Sequence, residues 1–247
     1  MSRFREQLYN LGIAPGDVVL MHSSMKALGT DLTPEGFLNE LMDVFTDEGT
    51  LLLPALTYES VTLENPYFSF TNSEPCVGLL PKVFMRMNDV VRSVHPTHSV
   101  CAWGKYSDFM TCEHIIDNTP VGAHSPFMLL LEFNGKILFV GDILHSCTFM
   151  HGLEELVDAP YLMNKKMTEY TITDIPEKSF KKNYYTHNFK GWEQEYTRIR
   201  NILTYPDIRT GTICNAPCTL IDAKKLKTAA IERFHEDILA FVSPKME

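Results

Sequence analysis

Short unbroken apolar runs alternate along the chain with stretches where apolar side chains recur at helical spacing. Residues 3–11 place apolar positions on one face, and Gly12 ends the helix they predict. Gly16-Asp17 leads into Val-Val-Leu-Met-His (18–22), a run of the kind that forms a strand covered on both faces. Thr33-Pro34-Glu35-Gly36 reads as a helix start. Thr33 is the N-cap, and Pro34 sits in the first turn, where a missing N–H costs nothing. Phe37, Leu41 and Val44 repeat at helical spacing through 34–46, and after Gly49 the run Thr-Leu-Leu-Leu-Pro-Ala (50–55) predicts another covered strand. Strand, helix, strand in this order implies parallel pairing, because a parallel connection needs a crossover long enough to hold a helix.

The pattern then loosens. Residues 56–77 are rich in Pro, Asn, Ser and aromatic side chains and predict a long loop, a feature usually tied to function in compact domains. A helix is expected at 78–87, a loop running into a strand through Ser93–Gly104, a helix over 105–115, a turn-rich loop at 118–127 and a short helix over Phe127–Phe133. Lys-Ile-Leu-Phe-Val-Gly-Asp (136–142) is the third clear covered strand, followed by a helix at 147–156. The alternation in 160–174 predicts an antiparallel strand, and 175–190 reads as an excursion or lobe edge. Helices near 191–203 and 222–234 flank a short strand near 209–214. The expected fold class is α/β. Parallel strands form a central mixed sheet flanked by helices, an antiparallel portion falls in the C-terminal half, and residues 1–247 form one domain.

Charge narrows the partners. The 22 Lys+Arg against 31 Asp+Glu give a net charge of −9. With no long Lys/Arg run, this argues against nucleic acid, whose phosphates need clustered positive charge. It leaves open a cationic ligand, since an acidic cleft draws amines, beside the plainer reading of an acidic surface kept for solubility. The N-terminal Met-Ser-Arg-Phe-Arg-Glu lacks the apolar core of a secretory signal, and no apolar stretch reaches the ~18–20 residues needed to cross a bilayer. Six scattered cysteines in a chain of this size read as free thiols of a cytoplasmic protein, not as a disulfide scaffold. A homodimer is the base-rate expectation for assembly.

Neither Gly-rich phosphate motif is present, nor Gly-x-Ser-x-Gly, nor His-Glu-x-x-His. Three polar clusters remain, at or near the ends of predicted strands, where open parallel sheets gather ligands. The first is His22-Ser23-Ser24-Met25-Lys26, whose hydroxyls and N–H groups suit a phosphate or an amide, and which reads equally well as a plain polar turn. The second is Arg92-Ser93-Val94-His95-Pro96-Thr97-His98-Ser99. Arg92 suits a carboxylate or phosphate partner. His95 and His98 suit a metal, although the intervening proline leaves their rings free to diverge. The third is Thr148 through Glu155, in which His151 and Glu154 share a helix face. A histidine beside a carboxylate is a general-base arrangement near neutral pH, and equally a structural one.

These clusters, in order, resemble the antibiotic N-acetyltransferase family that includes the aminoglycoside 3-N-acetyltransferases outside the GNAT group. The resemblance rests on segments 16–29, 49–55, 77–86, 91–104 (with its Arg-Ser-x-His-Pro-x-x-Ser pattern), 117–127 (Pro-x-Gly-x-x-Ser-Pro), 136–142, 148–154 (Thr-x-x-His-x-x-Glu) and 211–216. Met150 stands where Leu is usual, and Cys214 where Gly is common. The resemblance implies an acyltransferase fold distinct from GNAT, acetyl-CoA as co-substrate and an aminoglycoside or similar amine as acceptor, with no metal. It implies His151 as the base, Glu154 as its orienting carboxylate and Thr148 near the thioester. The candidates for holding CoA are His22, Ser23, Ser24 and Lys26 of the first turn, Arg92, Ser93, His95 and Ser99 of the second segment, and Gly122, Ser125 and Pro126 of the loop. Direct attack fits better than an acyl-enzyme, with Cys147 the one thiol that could argue otherwise. Glu59, Glu64, Asp142, Glu154, Glu155 and Asp158 are the acidic candidates for an amine-binding mouth. Two alternatives stand beside this reading: a metal-dependent hydrolase using His95, His98 and His151, and a catalytically silent CoA-binding homologue.

Overall fold

The computed structural model describes residues 3–175 and 178–245. The N-terminal half contains α1 (Arg3–Leu11), β1 (Val18–Ser23), α2 (Met25–Leu28), α3 (Pro34–Phe45) and β2 (Thr50–Pro54), then β3 (Tyr67–Ser69), α4 (Leu79–Phe84), β4 (Val91–Arg92), β5 (Val100–Gly104) and α5 (Ser107–Cys112). It continues with α6 (Pro126–Leu129), β6 (Lys136–Val140), α7 (Phe149–Leu156), β7 (Thr168–Ile175), β8 (Lys178–Tyr184) and β9 (Trp192–Gln194). The last elements are β10 (Ile208–Ile213), β11 (Ala216–Asp222), α8 (Ala223–Glu236) and β12 (Val242–Pro244).

Among the described residues the main sheet runs in the order β10-β11-β6-β1-β2-β5-β4. Its centre is parallel, β1 pairing with both β2 and β6, and its two flanks are antiparallel. The molecule is thus mixed α/β, as the pattern predicts, with an antiparallel flank on the N-terminal half as well as on the C-terminal one. Side chains alternate between two cores. Val18, Leu20, Leu52, Ile137 and Phe139 face the layer of α5 to α8, while Val19, Met21, Leu51, Leu53, Leu138 and Val140 face α1, α3 and α4. Each such side chain is worth roughly 1.5–3 kcal/mol on burial, and a one-residue slip of β1 would move its whole apolar set to the wrong face. The register is therefore strongly fixed.

Thr33 caps α3 as read, its Oγ1 accepting from the Gly36 N–H at 3.0 Å. Elsewhere local expectation gives way. The region 191–203 is not a helix: β9 pairs with β12, and Tyr196–Asn201 forms a 3-10 turn that buries Tyr196 and Ile199, three residues apart. Strand 160–174 shortens to β7, because Tyr161 and Leu162 pack in a small cluster with Ala159 and Val242. The excursion at 175–190 contains β8, which joins β7 and β3 in a small three-stranded sheet. The helix at 127–133 shortens to α6. Strand β11 went unread because Pro217 weakens its strand signal. Among the described residues no helix is long and apolar enough to cross a membrane.

Candidate active site

The three parallel strands end on one edge of the sheet, and a cavity of about 800 Å³ opens there. Its wall takes Met21, His22 and Ser23 from the end of β1, Pro54 and Leu56 from the end of β2, and Ile143, Ser146 and Thr148 from the chain that follows β6. This is the crevice beyond the carboxyl ends of strands where open α/β sheets bind ligands. Gly141 lets the chain leave β6 tightly: its φ is +104°, and a Cβ there would stand 3.1 Å from Ser24 Cβ. The small sheet adds a second wall through Tyr170 of β7 and, just past β8, Thr186 and His187.

Helix α7 buries Phe149, Met150 and Leu153 and turns His151 toward the cavity. The ring is held from behind. Its Nδ1 lies 3.1 Å from Glu154 Oε2 and 2.8 Å from Tyr196 Oη, and Tyr196 donates to the same Oε2 at 2.7 Å. Tyr161 donates to the other oxygen, Oε1, at 2.9 Å. Tyr196 spends its one hydrogen on the carboxylate, so its oxygen accepts, and Nδ1 must carry the hydrogen shared between that oxygen and Oε2. The lone pair of the neutral ring then resides on Nε2. Glu154 is fully buried, and three side chains satisfy a charge that would otherwise be very costly there. Burial, and then the neighbouring Glu154 charge, raise the Tyr196 phenol well above its ordinary range, so it remains protonated. Cys147 is buried and absent from the cavity wall, and burial pushes its thiol up to about 12, where little thiolate exists.

Two further histidines crowd His151. Ring centroids are 4.7 Å from His187 and 6.3 Å from His98, and His187 Nε2 meets Glu155 Oε1 at 3.3 Å. Burial holds His98 and His187 well below the ordinary histidine range and lifts Glu155 to about 7. Burial thus weakens the His187–Glu155 contact as a salt bridge: a neutral imidazole faces a carboxyl whose ionisation is pushed up toward neutral pH. His22 stacks on Phe139 at 5.0 Å, and burial takes it down to about 3. Its Nε2 and the neighbouring Ser23 Oγ are buried with no hydrogen-bond partner, a costly state unless something else supplies one.

The remaining sequence candidates sit elsewhere. Ser24 precedes the single turn α2 without a side-chain capping bond, and Lys26 is exposed away from the cavity wall. Arg92 is buried. Its guanidinium donates to Ser99 Oγ and to the carbonyls of Phe70, Ser73 and Ala55, and it packs over the Phe68 ring. Ser93 joins His114 Nδ1 at 2.8 Å and accepts from the Val100 N–H. His95 Nδ1 accepts the N–H groups of Thr97 and His98, and its ring stacks on His114. His95, His98 and His151 therefore do not converge as a ligand set; among the described residues no group of three or more His, Cys, Asp or Glu stands where it could hold a metal ion. Ser125 caps α6, with Pro126 as its first residue, while Gly122 lines a separate cleft together with Glu155 and Asp158. Sequence reasoning missed Tyr161, Tyr196 and His187. Tyr196 lies 45 residues from His151, beyond any local spacing rule.

Fold and site together define an α/β protein with a histidine held by a buried carboxylate at a strand-end cavity. Residues 20–235 match the family described as aminoglycoside 3-N-acetyltransferase. This chain belongs to that family of acyltransferases. It is 29% identical over 187 residues to aminoglycoside N(3)-acetyltransferase VII of Streptomyces paromomycinus, a match spanning 68% of this chain and 64% of that protein. It is 28% identical to aminoglycoside N(3)-acetyltransferase IX of Micromonospora chalcea, covering 93% and 91% of the two chains. The solved structure of AAC-IIIb, a binary complex with CoASH, superposes with a TM-score of 0.82 at 24% identity, over 98% of this chain and 97% of that one.

Proposed function

We propose that this chain, as one catalytic domain, transfers the acetyl group of acetyl-CoA to a primary amine by direct attack, with His151 as general base. The observation that carries it is the fixed tautomer: Nδ1–H held by Glu154 and Tyr196, Nε2 left with a lone pair at the cavity. The family's named members acetylate aminoglycosides, which supports an amine acceptor. An ammonium cannot attack a carbonyl, because a proton occupies its lone pair. His151 Nε2 takes that proton first and frees the lone pair to add, and Glu154 stabilises the imidazolium that results. The imidazolium returns a proton to the sulfur as the C–S bond breaks, and the adduct nitrogen loses its extra proton to solvent.

The residues at the strand ends fit the donor. Ser23 Oγ and His22 Nε2 are unpartnered polar atoms at the cavity wall, suited to the amide-bearing arm of CoA, and Thr148 stands one helical turn before His151. No Lys or Arg is among the described residues lining the cavity, so the phosphates belong outside it. When bound, acetyl-CoA supplies an electrophilic thioester carbonyl and a thiolate leaving group.

The test is to incubate the purified protein with acetyl-CoA and a panel of primary amines. Released CoA thiol and acetylated product are then measured together. Both are expected, in equal amounts. CoA binding without product from any amine would reduce the protein to a CoA-binding homologue.

A further inference from the structure

The walls of the cavity also bear on which amine enters, an inference that rests on the acetyl-transfer reading. An amine with several positive charges needs a carboxylate for each ammonium it brings out of water, because an unpaired buried cation is very costly. Among the described residues that line the cavity, Glu64 is the single carboxylate. Glu154 stands behind His151 and already satisfies three side chains. Other carboxylates flank lining residues in sequence without lining the cavity. Asp142 is bonded to Arg200 at 2.8 Å, and Glu195 accepts from Ser243 at 2.7 Å. Glu155 and Asp158 belong to the separate cleft. Glu59, beside the lining Tyr58, likewise does not line the cavity.

Beyond the histidines, the rest of the wall is apolar, as at Leu56, Val61 and Ile143, or uncharged and hydrogen-bonding, as at Asn164, Thr186 and Gln194. Burial keeps His22, His98 and His187 below the ordinary histidine range, so these rings are neutral near pH 7 and neither repel nor pair with a cation. A wall with one carboxylate suits the neutral form of an amine, the form that attacks, and offers no charged partner to an additional ammonium.

We infer that the acceptor is a monoamine, one primary amine on an otherwise uncharged body with apolar or hydroxyl-bearing surface, and not a polycation. Glu64, at the exposed side of the wall, meets the single ammonium on entry.

The experiment compares four acceptors with acetyl-CoA: the monoamines tyramine and glucosamine, and the polycations neamine and spermine. At least one monoamine is expected to show kcat/KM about tenfold or more above both polycations. A polycation that matches or exceeds both monoamines overturns the inference and leaves acetyl transfer standing. If no acceptor releases CoA, the acetyl-transfer reading fails instead. Calorimetric titration of the same four amines into CoA-saturated protein then decides the inference alone: a tighter monoamine supports it, while a tighter polycation, or no monoamine binding, overturns it. Leu63→Asp offers a second measure, because Leu63 is 51% exposed and tolerates a charge. A second carboxylate beside Glu64 is expected to shift the neamine-to-glucosamine ratio of kcat/KM several-fold toward neamine, and an unchanged ratio overturns the charge argument.

Discussion

The network behind His151 and the segment from Arg92 to Ser99 are both buried, polar and rich in hydrogen bonds, yet they are built on different principles. In 92–99 most donors are consumed internally, the buried His95 Nε2 being an exception. Arg92 serves three carbonyls and a hydroxyl, Ser99 Oγ donates to the Ala55 carbonyl, and Ser93 ties His114 to the Val100 N–H. These bonds hold the long loop over 56–77 to the strand edge. Around His151 the bonds converge on one ring nitrogen and leave the other at a cavity. Near-saturation fits a scaffold, whereas a ring fixed on one side and open on the other fits the base role proposed for His151.

Acid strains both regions and should give the largest effect. His22 and His114 are held near 3, and His95, His98 and His187 well below their ordinary range, in each case chiefly by burial. All five are neutral when folded and take up protons on unfolding below ~pH 6.5. The stability they contribute is present above that pH and is lost as pH falls, at about 1.4 kcal/mol per pH unit for each proton taken up. Glu155, raised to about 7, acts in the opposite sense, its contribution fading as pH rises from about 4.5 to 7. Urea unfolding at about pH 7.5 and about pH 5.5 should therefore show a loss of several kcal/mol in acid. Stability that is flat or rises on acidification would mean that these rings are not held neutral.

The two regions separate under mutation. His151→Asn should cut kcat by about three orders of magnitude, within the range for a lost general base, while urea stability changes by no more than ~1 kcal/mol. Arg92→Met should do the reverse. It leaves the carbonyls of Ala55, Phe70 and Ser73 short of a donor, and should cost about 3 kcal/mol in urea unfolding. The KM for acetyl-CoA of the folded enzyme should move much less. A large KM effect at unchanged stability would make Arg92 a donor-site residue and dissolve the contrast.

Much of this was legible along the chain. The three buried runs, the capped helix at Thr33 and the strand-end placement of His22 and His151 follow from patterns local in sequence. What was not legible depends on packing across distance. Residues 196–201 show apolar periodicity that a helix and a 3-10 turn satisfy equally, and β9 takes the residues before them because β12 is there to pair. Tyr161 and Tyr196 reach Glu154 only after the chain folds back. Arg92 looked like a phosphate ligand because its residue type suits one. Only the three carbonyls around it reveal a different employment, and they come from loops 19 to 37 residues away.

The smallest predicted effect is the most discriminating, because stability and affinity should move in opposite directions. Ser23 lies at the end of β1, its hydroxyl buried and unpartnered. A buried hydroxyl without a partner costs roughly 1–3 kcal/mol, and a partner-free scaffold residue would have no reason to keep it. Ser23→Ala should therefore leave the free protein as stable or raise its melting temperature slightly. If the hydroxyl bonds the CoA arm, the same change should raise the KM for acetyl-CoA by about five- to tenfold, the worth of one neutral hydrogen bond, with kcat little altered. A scaffold serine of the kind found in 92–99 behaves otherwise. Ser93→Ala breaks bonds to His114 and Val100 and should lower stability without touching KM. Were Ser23→Ala to follow the Ser93 pattern, the edge of β1 would belong with the scaffold, and the donor would have to be placed on the other wall of the cavity.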